Sequence, residues 1–336
     1  MKILMLVHPD LVPPEEVDED QVNWDKILWA TEYDVKKGLL KAGHEVEILG
    51  VADELKAIRV AVKRLEPHIV FNLLEEFKGE AILDQNVVSY LELLGAAYTG
   101  CNPKGLIIGR DKALSKKILS YHKIATPKFQ VIPKNNPKKR LKEQTYPQIV
   151  KCLNEEASLG LSQASIVTNQ EKLRERAEFI HDHFRTDAIT EQFIEGPEYF
   201  VGVIGNYRLK ALPVWELKFE KTQNPDKEFY STKAKFDQKY RVRHGISTGP
   251  AAIDNNMTTQ LQKVAKRAYK ALGLSGYARM DLRVESSTGK IFVLEANPNP
   301  DISEYDDFAQ SAKAAGISYP DLLDKILRLG RHWTPQ

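Results

Sequence analysis

GYARMDLRVESSTGKIFVLEANPNP, residues Gly276 to Pro300, reads as two strands joined across a polar turn. Pairing Glu285 with Ile291 across that turn sets Asp281 opposite Glu295 and Arg279 opposite Asn297. Residues two apart on a strand share a face, and directly opposed residues have Cβ atoms about 5 Å apart. Arg279, Asp281, Glu295 and Asn297 would then cluster on one surface, with Met280, Leu282, Phe292 and Leu294 on the other. Opposed carboxylates repel unless something positive lies between them. Two acids and an amide oxygen form an all-oxygen ligand set, which suits Mg²⁺ in company with phosphate oxygens. Pro298 and Pro300 would hold the end of the second strand extended. An ordinary amphipathic hairpin with a solvated polar face is the competing reading. The pattern favours the metal.

Outward from this hairpin, the chain has 336 residues, 42% hydrophobic and 28% charged, with a net charge of +2. Two or three domains, each with its own core, are expected at this length. So small a charge excess gives no footprint for nucleic acid and no general pull toward an anionic membrane. Cys101 and Cys152 match no metal spacing, so a reduced, cytoplasmic setting is the simplest account. The opening apolar run, Ile3 to Val7, is shorter than a secretory signal needs and reads as a first buried strand. No apolar stretch approaches the length needed to span a bilayer.

The first third alternates strand and helix. KILMLV, HEVEIL, HIVFNLL and the short AAYTG read as strands, and residues 30–42, 53–65 and 84–94 as helices. That alternation predicts a parallel sheet covered on both faces. No G-x-G-x-x-G follows the first strand, so a dinucleotide fingerprint is absent. Residues 11–29 form a long acidic insert. Beyond a boundary near Arg110, DKALSKKILSYH is a helix and FQVIP a strand. KNNPKKRLKEQT is a basic solvated loop and helix start, PQIVKCL a strand and NEEASLGLS a turn. A helix from Asn169 to Phe184 leads to the strand AITEQFI. EYFVGVIGN and RLKALPVWEL read as an antiparallel pair, and residues 218–248 as a long mobile loop. Helices cover residues 257–272 and 320–329.

Five segments in order, GRDKALSK, PQIVK, EQFIEGPEY, ARMDLRV and LEANPNP, resemble the ATP-grasp ligases of the D-alanine–D-alanine ligase-like branch. The resemblance runs from about Phe71 to Leu329. It implies an α/β chain of three domains: residues 1–110, a Rossmann-like parallel α/β domain on the substrate side; 111–198, a small α+β domain; and 199–336, an α+β domain with the metal site and a covering loop. ATP would lie between the last two. The resemblance assigns Lys112 and Lys151 to the nucleotide phosphates, a role that flexible point charges suit. It assigns Glu191, Phe193 and Ile194 to the strand that meets adenine, and Glu198 to the ribose hydroxyls. Ser158 and nearby backbone N–H groups would close over the phosphates, and Lys235 would lie on the covering loop. Asp281, Glu295 and Asn297 would hold two magnesium ions, with Mn²⁺ as a substitute, and Arg279 would steady a tetrahedral oxyanion. Alone, Lys112 reads more readily as a solvated helix-start lysine, a reading that is weaker for Lys151 at the end of the apolar strand PQIV, and Glu191 and Glu198 each read as readily as a satisfied or solvated carboxylate. A homodimer is also implied.

The departures lie on the substrate side. The family's glycine-rich first loop, with its amine-anchoring Glu, corresponds here to HPDLVPPEEVDEDQVNW, which has no glycine. FNLLEEFKGEAILDQ stands where a His-Gly and Gly-Glu-Asp-Gly segment is usual, and Ala157 and Phe236 stand where a bracing Ser and Tyr are usual. The expectation is therefore an ATP-dependent carboxylate–amine ligase acting on an amino acid or small peptide-like acid. Its alternatives are a D-alanine–D-alanine ligase with a diverged loop, a phosphotransferase on the same fold, and a nucleotide-binding regulator.

Overall fold

The computed structural model describes the whole chain except residues 25–26, 138–139, 155–158 and 336. Its first part holds β1 (Lys2–Val7), α1 (Ala30–Lys41), β2 (Glu45–Gly50), α2 (Leu55–Leu65), β3 (Ile69–Asn72), α3 (Asp84–Leu93) and α4 (Pro103–Arg110). The middle holds α5 (Lys112–Tyr121), β4 (Phe129–Ile132), β5 (Gln148–Cys152), β6 (Ile166–Val167), α6 (Gln170–Phe184) and β7 (Ala188–Gln192). The last part holds β8 (Glu198–Ile204), β9 (Lys210–Ala211), β10 (Trp215–Phe219), α7 (Thr232–Phe236), α8 (Gln238–His244), β11 (Ile246–Pro250), α9 (Asn255–Ala271), β12 (Tyr277–Val284), β13 (Ile291–Pro298), α10 (Asp307–Ala314) and α11 (Tyr319–Arg331).

The first sheet is parallel, in the order β2-β1-β3. From Ile3 to Val7, β1 is an unbroken apolar run because both of its faces are buried. Leu4 and Leu6 pack with Ile58 of α2 and Val87 and Leu91 of α3. Ile3, Met5 and Val7 pack with Val35 and Leu39 of α1 and Leu322, Leu323 and Ile326 of α11. The C-terminal helix thus closes back over the first sheet. AAYTG, expected as a strand, contributes a single parallel bridge between Val70 and Tyr98.

The second sheet is antiparallel, ordered β4-β7-β5-β6. One face lies under α6, where Leu173, Ala177 and Ile180 cover Val150, Cys152 and Ala188. The third sheet runs β11-β10-β8-β12-β13, with β9 on the edge of β8. Its back is covered by α9 through Leu261, Ala265 and Ala268. The other faces of these two sheets look at each other. Between β7 and β8 the chain turns at Gly196, whose φ is +146° and where a Cβ would lie 1.9 Å from the Val284 carbonyl oxygen. No side chain fits there, so β7 and β8 meet the end of β12 at close quarters.

Three expectations need correction. Residues 218–248 are not one loop: they finish β10 and hold α7, α8 and most of β11. Helices of five and seven residues are too short to show a periodic apolar stripe. The basic connection after β4 contains no helix among its described residues. Finally, the hairpin register holds only at its far end. Asp281 faces Glu295 and Arg279 faces Asn297, but Leu282 faces Val293 and Val284 faces Ile291. A bulge between Asp281 and Leu282 absorbs the difference, and Glu285 donates to Lys290 instead of pairing with Ile291. Val293 therefore joins Met280 and Leu282 in the core, while Leu294 turns toward the opposite face and Phe292 packs outside that core cluster.

Candidate active site

The inner face of the third sheet carries alternating charges on its central strand. Arg279, Asp281 and Arg283 lie two apart on β12 and share one face. Arg279 donates to Asp281 through Nε at 2.7 Å and Nη2 at 2.9 Å, a bidentate pair. Its guanidinium lies 4.7 Å from the centre of the Phe200 ring, and Asn297 Nδ2 donates to Asp281 at 2.9 Å. Arg283 faces Glu198 on β8 and donates to Glu198 Oε2 at 3.1 Å and to the Ile194 carbonyl at 2.9 Å. It also donates to the Glu228 carbonyl. One buried guanidinium therefore fastens the strand end, the β7–β8 turn and the segment before α7.

Facing it is a lysine cluster. The Glu191 carboxylate of β7 is fully buried between Lys116 Nζ at 3.2 Å and Lys151 Nζ at 3.3 Å. Lys116 also donates to the Leu294 carbonyl. Lys112, one turn earlier on α5, reaches Glu295 at 3.7 Å. Asp111 starts this helix by accepting from the amides of Ala113 and Leu114, so both lysines project on one face. Burial pushes the Glu295 carboxyl up, but Lys112, Lys151, Lys116 and Arg279 outweigh it and hold it at about 2. Burial likewise opposes ionisation of Glu191, and Lys116 and Lys151 reverse the sign. Glu295 and Glu191 are thus carboxylates at neutral pH.

Most of these groups line one cleft of about 910 Å³, including its open mouth, with Lys116 buried behind it. It brings together Lys112, Lys151, Glu191, Phe193, Ile194, Glu198, Lys235, Arg279, Asp281, Glu295 and Asn297, all named from sequence. Lys235 arrives on α7. Ser158 lies outside the described residues, as does Ala157. Phe236 is exposed. Sequence reasoning missed Lys116, Arg283 and Leu294. Lys116 had a signal, since it stands four residues after Lys112 on the same helix face. Arg283 had one too, since it continues the alternation of Arg279 and Asp281. Leu294 had none, because only the bulge brings it to this side. Oxygen donors on a face with an ionised Glu295 fit a hard divalent cation that takes few protein ligands, even though no three His, Cys, Asp or Glu residues cluster as a metal site among the described residues.

A second cavity of about 1280 Å³ adjoins the first. It lies between α1, the segment after β3 and the segment after β13. Glu32 of α1 is buried in its wall, and among the described residues its Oε2 has no hydrogen-bond partner. Burial, with Glu75 and Asp301 nearby, raises the Glu32 carboxyl to about 7. Between pH 4.5 and 7 the native state then holds a proton that the unfolded chain has lost, so stability falls as pH rises through that window. Urea titrations at pH 5 and pH 8 are expected to show this fall in the native sequence. In Glu32→Gln the fall shrinks, by on the order of 1–3 kcal/mol.

Two antiparallel sheets closing on a cleft of lysines and carboxylates, behind a parallel α/β domain, define an ATP-grasp architecture. Comparison with known proteins agrees. The family described as D-ala D-ala ligase C-terminus matches residues 113–328. A D-alanine–D-alanine ligase of Desulforudis audaxviator is 30% identical over 253 residues, 74% of this chain and 77% of that protein. The uncharacterized protein y4sG of Sinorhizobium fredii is 29% identical over 301 residues, 87% of this chain and 85% of its own length. The crystal structure of D-alanine–D-alanine ligase from Bacillus anthracis complexed with ATP covers 98% of this chain and 97% of its own, with a TM-score of 0.73 and 24% identity. VanG D-Ala:D-Ser ligase from Enterococcus faecalis gives 0.72 at 20% identity, over 98% of this chain and 99% of its own. At those identities the structural likeness is one of fold. The chain belongs to the D-alanine–D-alanine ligase family and is an ATP-grasp ligase of that family.

Proposed function

We propose that the enzyme joins the carboxyl group of one small molecule to the amine of another through an acyl phosphate, releasing ADP and phosphate. The observation that carries this reading is the single cleft in which Lys112 and Lys151 face Arg279, Asp281, Glu295 and Asn297. A substrate carboxylate attacks the γ-phosphorus of ATP, the bond to the ADP oxygen breaks, and an acyl phosphate forms. Lys112 and Lys151 neutralise the phosphate oxygens during this transfer. Asp281, Glu295 and Asn297 would hold Mg²⁺, which supplies further positive charge to the phosphates when bound. An amine then attacks the acyl carbon. Arg279, with Nε and Nη2 committed to Asp281, keeps its remaining N–H donors for the developing oxyanion. The phosphate leaves, the amine loses a proton, and an amide remains.

On this reading adenine enters beside Phe193 and Ile194, and Glu198, already ordered by Arg283, meets the ribose. α7 carries Lys235 over the cleft and helps to exclude water, which would otherwise hydrolyse the acyl phosphate. The residue ranges 1–110, 111–198 and 199–336 are proposed as its working domains. Two buried free cysteines suit a reducing, cytoplasmic setting. Among the described residues no helix is long and apolar enough to cross a membrane.

A second reading, D-alanine–D-alanine ligase itself, is favoured by the name of the Desulforudis relative. ADP release across a panel of amino acids and amines, with mass spectrometry of products, separates the readings. The expected result is ADP formation that requires both a carboxylate and an amine. Turnover with D-alanine alone would select the second reading. A stable phosphorylated product would make the enzyme a kinase, and tight ATP binding without turnover would make it a regulator.

A further inference from the structure

The second cavity has an unusual wall. Its described lining includes Asp10, Glu32, Glu75, Glu76 and Asp301, and His8 is its only basic side chain. Asp10 and Glu76 share His8, at 3.7 and 3.6 Å. Glu32 is different, because it is 4% exposed and its Oε2 meets no donor among the described residues. A buried carboxylate with no cation is costly and is found where something else supplies the charge. Burial, with Glu75 and Asp301 nearby, raises its carboxyl to about 7, and a cation beside it would favour the ionised form. The acidity continues toward the first cleft. Among the described residues Asp306 also has a buried Oδ1 without a hydrogen-bond partner, close to Asp301 and Asp307.

The two cavities are joined through the same strands. Tyr277 lines the second cavity and Arg279 the first, while Asn297 lines the first and Asn299 and Asp301 the second. Steps of two residues along a strand are about 7 Å, so a short molecule in the second cavity can present one end to Arg279. We propose that the second cavity is a substrate pocket for a molecule with two or more ammonium groups, a diamine or a dibasic amino acid. One ammonium would pair with Glu32 while another group reaches the acyl phosphate. This rests on the ligase reading for its reaction, but the binding itself does not.

Calorimetric titration of the full-length protein with lysine, 1,5-diaminopentane and alanine tests it. Lysine or diaminopentane is expected to bind and alanine is not. Glu32→Gln is expected to weaken the cation by on the order of tenfold, with ATP affinity unchanged. Asp301→Asn, at an exposed position, should weaken it less and serves as a second variant. Binding of lysine alone identifies a dibasic amino acid, and binding of diaminopentane a diamine. Alanine binding as tightly as the cations, or a cation affinity unmoved by both variants, would overturn the proposal. ADP release keeps the two readings apart. Alanine turnover with no preference for cations upholds the ligase and sinks the pocket. Glu32-dependent cation binding without ADP release from any pair upholds the pocket and sinks the ligase.

Discussion

Replacing Glu295 with Gln is expected to lower the rate of ADP release by about a hundred- to thousandfold, with the fold retained. The substitution keeps size and removes one charge. That charge matters because of its surroundings: Lys112 lies 3.7 Å away, and Lys151, Lys116 and Arg279 all favour the ionised form. Removing it takes one oxygen ligand from the proposed metal site and one negative charge from beside Lys112. Nucleotide binding measured without metal should therefore persist or tighten, while metal-dependent turnover collapses. This split distinguishes a lost metal ligand from a disturbed fold, which circular dichroism would show directly. Unchanged turnover would remove Glu295 from the metal site.

Glu191→Gln should have the largest effect on stability. The carboxylate lies between two ammonium groups, Lys116 at 3.2 Å and Lys151 at 3.3 Å, and neither it nor Lys116 reaches solvent. Neutralising it leaves two buried positive charges facing each other, and breaking a buried pair in this way costs about 3–5 kcal/mol. Urea denaturation should show the midpoint falling with little change in slope. Lys116→Met in the Glu191→Gln background should recover part of the loss, since it removes one of the stranded charges. Additive losses in the double variant would mean that the two residues do not act as a pair.

Much of the fold was legible because it rests on periods that a sequence displays. β1 is apolar without alternation, as a strand covered on both faces must be, and α6 announces its start through Asn169, whose side chain caps Lys172 N. The residues of the cleft were legible through ordered motifs and not through any one of them. What stayed hidden depended on contacts between distant segments. α4 and α10 are eight-residue helices, too short to sustain a repeat that stands out in the sequence. Arg283 continues a visible alternation, but its role shows only once Glu198 and the Ile194 carbonyl are seen beside it. Glu32 reads as an exposed helix residue, whereas in the fold it is 4% exposed in the wall of the second cavity. The acidic insert also acquires a place: Glu19 holds Tyr33 at 2.8 Å and Lys37 at 2.5 Å, and Leu28 borders the second cavity.

The irregularity in β13 has a consequence for how the family's chemistry can drift. A strand normally forces neighbours to opposite sides, so a wall and a catalytic acid cannot be consecutive in sequence. Here the extra residue shifts the phase of the strand by one, and Leu294 and Glu295 both face the cleft while Val293 and Ala296 both stay in the core. An apolar surface and a carboxylate are thereby coded side by side but can change separately. Deleting one of these two residues would restore the simple alternation and leave a single side chain, apolar or acidic, facing the cleft at this point.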